Sequence, residues 1–222
     1  WMFDGKMLRA ATGTPIRIMA RANSSLAEAE PEPLMLANLM TKSLVAWIEA
    51  FAGFYEELPL LFTAEIGHLF FEEPGDIPEV PVWKAIGDEL VFMARPREER
   101  ELQLLTEACV RTMAKANVRF QEQWELTIHG VTWSFEEGQR NQAVRFRELE
   151  SHSAAVMDLI GPDVDLGFRL VSHAPAGGVL VPQCHAERLR SSSLKVMPVG
   201  QAFLKGIRLD AYPLLLVTAP ES

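Results

Sequence analysis

The sequence predicts a domain of mixed secondary structure, either α/β or α+β. Segments typical of strands recur along the chain and are separated by long segments with helical spacing. The chain has 222 residues, so a single domain over residues 1–222 with a substantial core is expected. A hydrophobic fraction of 48% and a charged fraction of 23% are those of a folded globular protein.

The first part of the chain predicts one strand followed by helical segments. Pro15–Ala20 alternates apolar and polar side chains, as a short strand does. Leu34 to about Ala52 places its apolar residues on one side of a helix, so its Trp and Met side chains are expected in the core. Leu60–Phe71 is apolar and fits either a second helix or a strand.

The middle of the chain predicts a hairpin, a helix and a strand. Val80–Ile86 and Glu89–Ala94 are expected to pair around a tight Gly-Asp turn. Glu98 to about Val118 has the clearest helical spacing of apolar residues, and Glu125–Phe135 alternates as a strand does.

The last third predicts an exposed excursion and short strands. Glu137–Leu149 is polar and is expected to lead into another helix. Three further strands are expected at Val156–Ile160, Val179–Val181 and Leu214–Val217.

Charge and composition exclude several classes of protein. A net charge of −9 disfavours a nucleic-acid partner, which needs a basic surface, but allows a metal-bound nucleotide. Two cysteines are too few for a disulfide framework, and the five histidines show no spacing typical of a metal site. No apolar run reaches the roughly 18 residues of a membrane helix, and no signal peptide is expected. We therefore expect a soluble, cytoplasmic protein without a membrane partner.

Two segments carry polar residues that are candidates for a binding or catalytic site. Asp88 lies at the predicted hairpin tip, where its carboxylate can bind Mg²⁺, although Gly-Asp pairs also serve simple turns. Asp158, Asp165 and Arg169 surround a Gly-Pro turn. Asp165 and Arg169 are four residues apart, which fits an ordinary helical ion pair or an arginine placed to bind a reacting phosphate.

Taken together and in chain order, these segments resemble the catalytic domain of class III nucleotidyl cyclases. No single motif carries the resemblance; the ordered set from about Leu34 to the C-terminus does. Its matching segments are Trp83–Phe92, Leu126–Val131, Asp158–Leu170, Ala174–Val181 and Val199–Ile207.

The resemblance implies an α+β fold with a ferredoxin-like βαββαβ core and additional strands and helices. It implies that Asp88 is one of two metal-binding aspartates, with Mg²⁺ or Mn²⁺ as cofactor. Lys84 and Asp158 match the positions that read the nucleobase. Arg169 matches the catalytic arginine of the transition state, with Asp165 beside it.

The implied reaction is attack of a ribose 3′-hydroxyl on the α-phosphate of a nucleoside triphosphate, which expels pyrophosphate. Lys205 matches a lysine that binds the triphosphate. The implied assembly is a head-to-tail homodimer with sites between the two subunits.

The sequence departs from the family pattern at two positions. Asp165 stands where the family has asparagine, which replaces a neutral donor by a carboxylate facing a polyanion. Arg21 lies near the position expected for the first metal aspartate. One carboxylate holds Mg²⁺ less well than two, so the metal site is expected to be degenerate or substituted unless residues are missing from this segment.

The motifs look most similar to the small pyrimidine cyclases of bacterial anti-phage (Pycsar) systems, which make cyclic UMP or cyclic CMP. Against this, Lys84 with Asp158 is the pair expected for adenine, so an adenylate cyclase is one alternative. A degenerate homologue that binds a nucleotide or a partner without turnover is the second. An unrelated α+β interaction domain is the third.

Overall fold

Two long helices and a seven-stranded sheet dominate the computed structural model, which describes residues 16–24, 33–145, 157–206 and 211–220. The described helices are α1 (Pro33–Phe70), α2 (Glu99–Trp124), α3 (Pro162–Leu170) and α4 (Gln183–Arg188). The described strands are β1 (Ile16–Ser24), β2 (Val82–Ile86), β3 (Glu89–Ala94), β4 (Leu126–Ser134), β5 (Gln142–Arg145), β6 (Met157–Ile160), β7 (Val179–Val181), β8 (Lys195–Ala202) and β9 (Tyr212–Thr218).

The main sheet has the strand order β2-β3-β1-β4-β7-β9-β8, and β5 pairs with β6 in a separate two-stranded sheet. The pairing of β4 with β7 is parallel, whereas β1 runs antiparallel to both β3 and β4. The first six elements, β1-α1-β2-β3-α2-β4, therefore follow the βαββαβ order with β1 and β3 at the centre. The predicted α+β fold with a ferredoxin-like core is confirmed.

The sheet separates two apolar clusters because successive side chains of a strand point to opposite faces. On β1, Ile16, Ile18, Ala20 and Ala22 pack with α1 and α2 on one face. Met19 belongs to the cluster on the other face, which includes side chains of β4 and α3. The alternation places Arg17 and Arg21 on this second face, beside Met19.

The segment from Pro33 to Phe70 is one continuous helix rather than two elements, although it contains Pro59. Five buried side chains spaced four residues apart hold it on α2 and the sheet, and this packing outweighs the hydrogen bond lost at the proline. They are Phe54, Leu58, Phe62, Ile66 and Phe70. The prediction that the Trp of this helix is a core residue is wrong, since Trp47 is 45% exposed.

The other elements agree with the sequence to within a few residues, with three exceptions. The polar excursion after Glu137 contains the short strand β5, which was not expected, and the helix expected to follow it falls on residues 146–156, outside the described part of the chain. Strand β8 and helix α4 were not predicted. Among the described helices, none is both long enough and apolar enough to cross a membrane.

Candidate functional site

Arg21 and Asp88 form an ion pair at the tip of the β2–β3 hairpin. The Nε atom of Arg21 donates to Oδ2 of Asp88 at 2.9 Å. Gly87 adopts a left-handed φ of 59°, which allows the tight turn that exposes Asp88. The tip is fixed from both sides, because Ala22 N donates to Asp88 O at 3.0 Å and the hydroxyl of Tyr55 donates to Gly87 O.

Glu89 adds a second carboxylate next to the same guanidinium. Its Oε1 lies 3.9 Å from Arg21 Nε, and the two residues are in register on β3 and β1. Burial raises the pKa of Glu89 and nearby Asp88 adds to the rise, while Arg21 opposes it. The pKa of Tyr55 is raised for similar reasons, by burial and then by the carboxylates of Asp88 and Glu89.

These residues do not fit the implied pair of metal-binding aspartates. Arg21 places a positive charge near the position where the resemblance implies the second carboxylate, and it already occupies an oxygen of Asp88. Within the described residues, no group of three or more His, Cys, Asp or Glu side chains is placed to hold a metal ion. The assignment of Asp88 as a ligand for Mg²⁺ or Mn²⁺ stays a prediction from the resemblance.

Lys84 and Asp158 are brought together although they are 74 positions apart in sequence. Lys84 Nζ on β2 donates to Asp158 Oδ2 on β6, so the pair joins the main sheet to the two-stranded sheet. The Nζ atom also lies 4.1 Å from the centre of the Trp83 ring. Both side chains are about a quarter exposed, at 28% and 22%, so a ligand can reach them.

Arg17 was missed by the sequence analysis, because a polar residue in an alternating strand is normally expected at the surface. It is 0% exposed, and its guanidinium carbon lies 3.8 Å from the centre of the Trp83 ring and 5.0 Å from that of Phe135. Its guanidinium nitrogens have no hydrogen-bond partner among the described residues. Burial lowers the pKa of Arg17 to about 9, against the opposing charges of Asp158 and Glu137.

Arg169 is held on two sides at the end of α3. Its Nε donates to Asp165 Oδ2 at 3.0 Å, and its Nη1 donates to the carbonyl of Lys205. Gly206 follows with a φ of 84°, and a Cβ there would lie 3.6 Å from Nη2 of Arg169. The side chain of Lys205 is exposed, so α3 and the Lys205 turn bring two cations to one region.

The described contacts thus form three separate groups: Arg21 with Asp88, Lys84 with Asp158, and Arg169 with Asp165 and Lys205. Within the part of the chain that the structure describes, no hydrogen bond or ion pair joins one group to another. Lys84 with Asp158 offers a donor and an acceptor suited to the edge of a base. Arg169 and Lys205 offer donors suited to phosphate oxygens.

Comparison with solved structures finds nucleotidyl cyclases. The adenylyl cyclase CyaB from P. aeruginosa is 14% identical with a TM-score of 0.55, and the match covers 95% of each chain. The guanylate cyclase domain of RhGC from Catenaria anguillulae, solved in complex with GTP, is 12% identical with a TM-score of 0.55, over 94% of this chain and 98% of that chain. An adenylate cyclase from Trypanosoma brucei, studied in its monomeric state, is 12% identical with a TM-score of 0.52, over 94% and 90%.

Two comparisons at the level of sequence found no match for the chain. No protein-family description matches it, and no curated protein matches it either. Identities of 11–14% with structures that align over nearly the whole chain establish a common fold and no more. The chain therefore has the fold of the class III adenylyl and guanylyl cyclase domains.

Proposed function

We propose that this chain is a nucleotidyl cyclase that converts UTP or CTP into the 3′,5′-cyclic nucleotide and pyrophosphate. The observation that carries the proposal is the contact between Lys84 and Asp158, since two residues distant in sequence form a donor–acceptor pair at the surface. In the proposed reaction the ribose 3′-oxygen bonds to the α-phosphorus, the bond to the pyrophosphate oxygen breaks, and the hydroxyl proton is released.

Lys84 and Asp158 would select the base. The ammonium of Lys84 donates to a ring nitrogen or carbonyl, and the carboxylate of Asp158 accepts from an amino or imide group. The same pair also fits the edge of adenine, so ATP is the alternative substrate to be tested beside UTP and CTP. The pyrimidine preference is supported by the resemblance of the segments around Asp158 and Asp88 to those of the Pycsar pyrimidine cyclases.

Arg169 and Lys205 would bind the phosphates. The hydrogen bonds from Arg169 to Asp165 and to the Lys205 carbonyl fix the direction of the guanidinium before substrate arrives. Such a fixed cation stabilises charge that develops on the α-phosphate and on the leaving pyrophosphate without reorganising during the reaction. Lys205 supplies a mobile charge for the outer phosphates.

A homodimer is proposed to complete each site. Ile86, two residues before Asp88, is 46% exposed, and Phe203, two residues before Lys205, is 71% exposed. Ile86 ends β2 and Phe203 follows β8, the two edge strands of the main sheet, so apolar side chains are exposed beside polar site residues at both edges. Exposed apolar side chains at such positions support partner surfaces there. Sedimentation of the wild type and of Ile86→Asp tests it, with a dimer that dissociates in the variant as the expected result and a wild-type monomer as the contrary one.

A second candidate is nucleotide or partner binding without turnover. The ion pair between Arg21 and Asp88 favours it, because a cation occupies the place in which the family carries a metal-binding carboxylate. This candidate keeps the roles of Lys84, Asp158 and Lys205 in binding and removes the chemical step.

The biological role we propose is anti-phage signalling in the cytoplasm through the cyclic nucleotide. The resemblance to the Pycsar cyclases supports this role. Cells expressing the wild-type chain with its neighbouring genes should survive phage challenge, whereas Arg169→Ala should remove the protection. Equal survival with wild type and variant would contradict the role.

The enzyme proposal is tested by incubating the protein with each of the four nucleoside triphosphates, in Mn²⁺ and in EDTA, and analysing products by mass spectrometry. Cyclic UMP or cyclic CMP is expected. Cyclic AMP would instead establish the adenylate alternative. Absence of every cyclic product, with nucleotide binding retained, would replace the first candidate by the second.

A further inference from the structure

We propose that the Arg21 guanidinium takes the place of a divalent cation beside Asp88, so that this chain binds its nucleoside triphosphate without a metal ion. The inference rests on the proposed nucleotide-binding function and adds that this binding requires no divalent metal ion. It concerns the phosphate end of the ligand, whereas Lys84 and Asp158 concern the base.

The backbone fixes the position of Arg21 relative to the hairpin. On β1 it is in register with Glu89 on one side and with His129 on the other. The hydrogen bond from Ala22 N to Asp88 O ties the next residue of β1 to the hairpin tip. The 2.9 Å contact between Arg21 and Asp88 therefore follows from the pairing of two neighbouring strands.

A cation already partly neutralises the carboxylates at this edge. The guanidinium contacts Asp88 directly and lies 3.9 Å from Glu89, so one cation is shared by two carboxylates. A divalent ion at Asp88 would have to displace a bonded guanidinium and then remain within a few ångströms of it. Repulsion between like charges at such distances disfavours that arrangement.

Arg21 also has donors left for a ligand. Its described hydrogen bonds use Nε alone, and its side chain is 33% exposed. The two terminal nitrogens of a guanidinium bind phosphate oxygens in a bidentate manner, and the charge of arginine does not depend on pH in the ordinary range. Asp88 then acts to orient Arg21, as Asp165 orients Arg169.

The first test measures metal binding with Mn²⁺ alone, by the electron paramagnetic resonance signal of the free ion. The wild type should bind no more Mn²⁺ than Asp88→Asn does. Arg21→Asp should gain one site, at least about tenfold tighter than any wild-type binding. The double variant with Asp88→Asn should lose this site, and Arg190→Asp, which makes the same charge change at another exposed position, should gain none.

Two results of the metal titration would overturn the proposal. One is a wild-type Mn²⁺ site that Asp88→Asn removes, and the other is an Arg21→Asp protein that gains no site. Circular dichroism establishes that each variant is folded. If Arg21→Asp does not fold, Arg21→Asn takes its place, because it removes the guanidinium without adding a negative charge. Its Mn²⁺ binding is then compared with that of the wild type in the same titration.

The second test measures nucleotide binding with a fluorescent, non-hydrolysable UTP analogue in EDTA and in Mg²⁺. The wild-type Kd should differ by less than about threefold between the two, whereas Arg21→Asp should require Mg²⁺. A larger weakening of the wild type in EDTA would refute metal-free binding. Absence of binding in both conditions would sink the proposed nucleotide function, while the Mn²⁺ titration would still decide the exclusion of metal.

Discussion

Asp165 and Arg169 lie one helical turn apart on α3, with the Nε atom of Arg169 3.0 Å from Oδ2 of Asp165. The carboxylate therefore orients the arginine, but it also places a negative charge in the region where a triphosphate is proposed to bind. The side chain of Asp165 is 55% exposed, so it faces that region without shielding. Orientation and repulsion thus oppose each other at one residue.

Replacement of Asp165 by Asn should tighten triphosphate binding about threefold to tenfold, because it removes a like charge and keeps a hydrogen-bond acceptor for Arg169. Equilibrium titration with a UTP analogue measures the effect. Asp163→Asn is the matched control, since Asp163 lies on the same helix and pairs with Arg140 instead. Equal changes in the two variants would show that only overall charge matters.

Arg169→Ala should reduce formation of the cyclic nucleotide about 100-fold or more, because a fixed donor to the reacting phosphate is lost. Binding of the triphosphate should weaken by less than about tenfold, since Lys84, Asp158 and Lys205 remain. Steady-state kinetics and equilibrium binding separate the two effects. Unchanged turnover in a folded Arg169→Ala protein would remove Arg169 from the catalytic site.

Asp158→Asn should change the preference between UTP, CTP and ATP by at least about tenfold, because an amide offers both a donor and an acceptor to the base. Competition among the three triphosphates in one binding assay measures the preference directly. Glu137→Gln also removes one negative charge near Arg17 and serves as the control. An unchanged order of affinities would mean that Asp158 does not contact the base.

Gly167→Ala should lower the free energy of unfolding by about 1–3 kcal/mol, because a Cβ there would lie 2.3 Å from ring atoms of the buried Trp133. The close approach of α3 to β4 sets the position of Arg169 two residues later. Gly67→Ala is the matched control: its Cβ would meet nothing within 4 Å and it lies in α1, so a gain of up to about 1 kcal/mol is expected. Chemical denaturation compares them, and equal effects would contradict the packing argument.

His185 should make the protein less stable as the pH falls below about 6.5. The ring is fully buried between Thr106 and Ser134, and burial, aided by Arg188, lowers its pKa to about 3. The unfolded chain then takes up a proton that the folded one does not, which costs about 1.4 kcal/mol per pH unit between 6.5 and 3.

Urea unfolding at pH 7.5 and pH 5.5 measures this dependence in the wild type and in His185→Gln. The variant should be less stable at pH 7.5 and should lose the part of the pH dependence that the buried imidazole contributes. Identical slopes in the two proteins would show that His185 does not account for it.

The strands and helices could be predicted from periodicity because their apolar side chains repeat at the spacing of one face. Periodicity could not show whether the helix ends at Pro59 or continues. Only the packing of Phe54, Leu58 and Phe62 reveals that it continues through the proline. Strand β8 was missed because Pro198 and Gly200 interrupt it, as in a loop, and six of its eight residues are exposed, so no apolar face marks it.

The site could be predicted in part. The ordered motifs assign Lys84 and Asp158 to the same nucleobase, and the structure brings the two side chains into contact. The i,i+4 pair on α3 could be predicted from spacing alone. The sequence placed Arg21 at the expected metal position, but its bond to Asp88 depends on the register of β1 with β3. The burial of Arg17 depends on Trp83 and Phe135, which are distant in sequence, and no local pattern indicates it.

The central claim is that Lys84 and Asp158 mark a nucleoside triphosphate site. Equilibrium dialysis of labelled UTP, CTP and ATP against the wild type and Lys84→Ala, in Mg²⁺ and in EDTA, tests it most directly. At least one triphosphate should bind the wild type in both conditions and bind Lys84→Ala at least about tenfold more weakly. The claim would be contradicted if none of the three triphosphates bound the wild type, whether in Mg²⁺ or in EDTA.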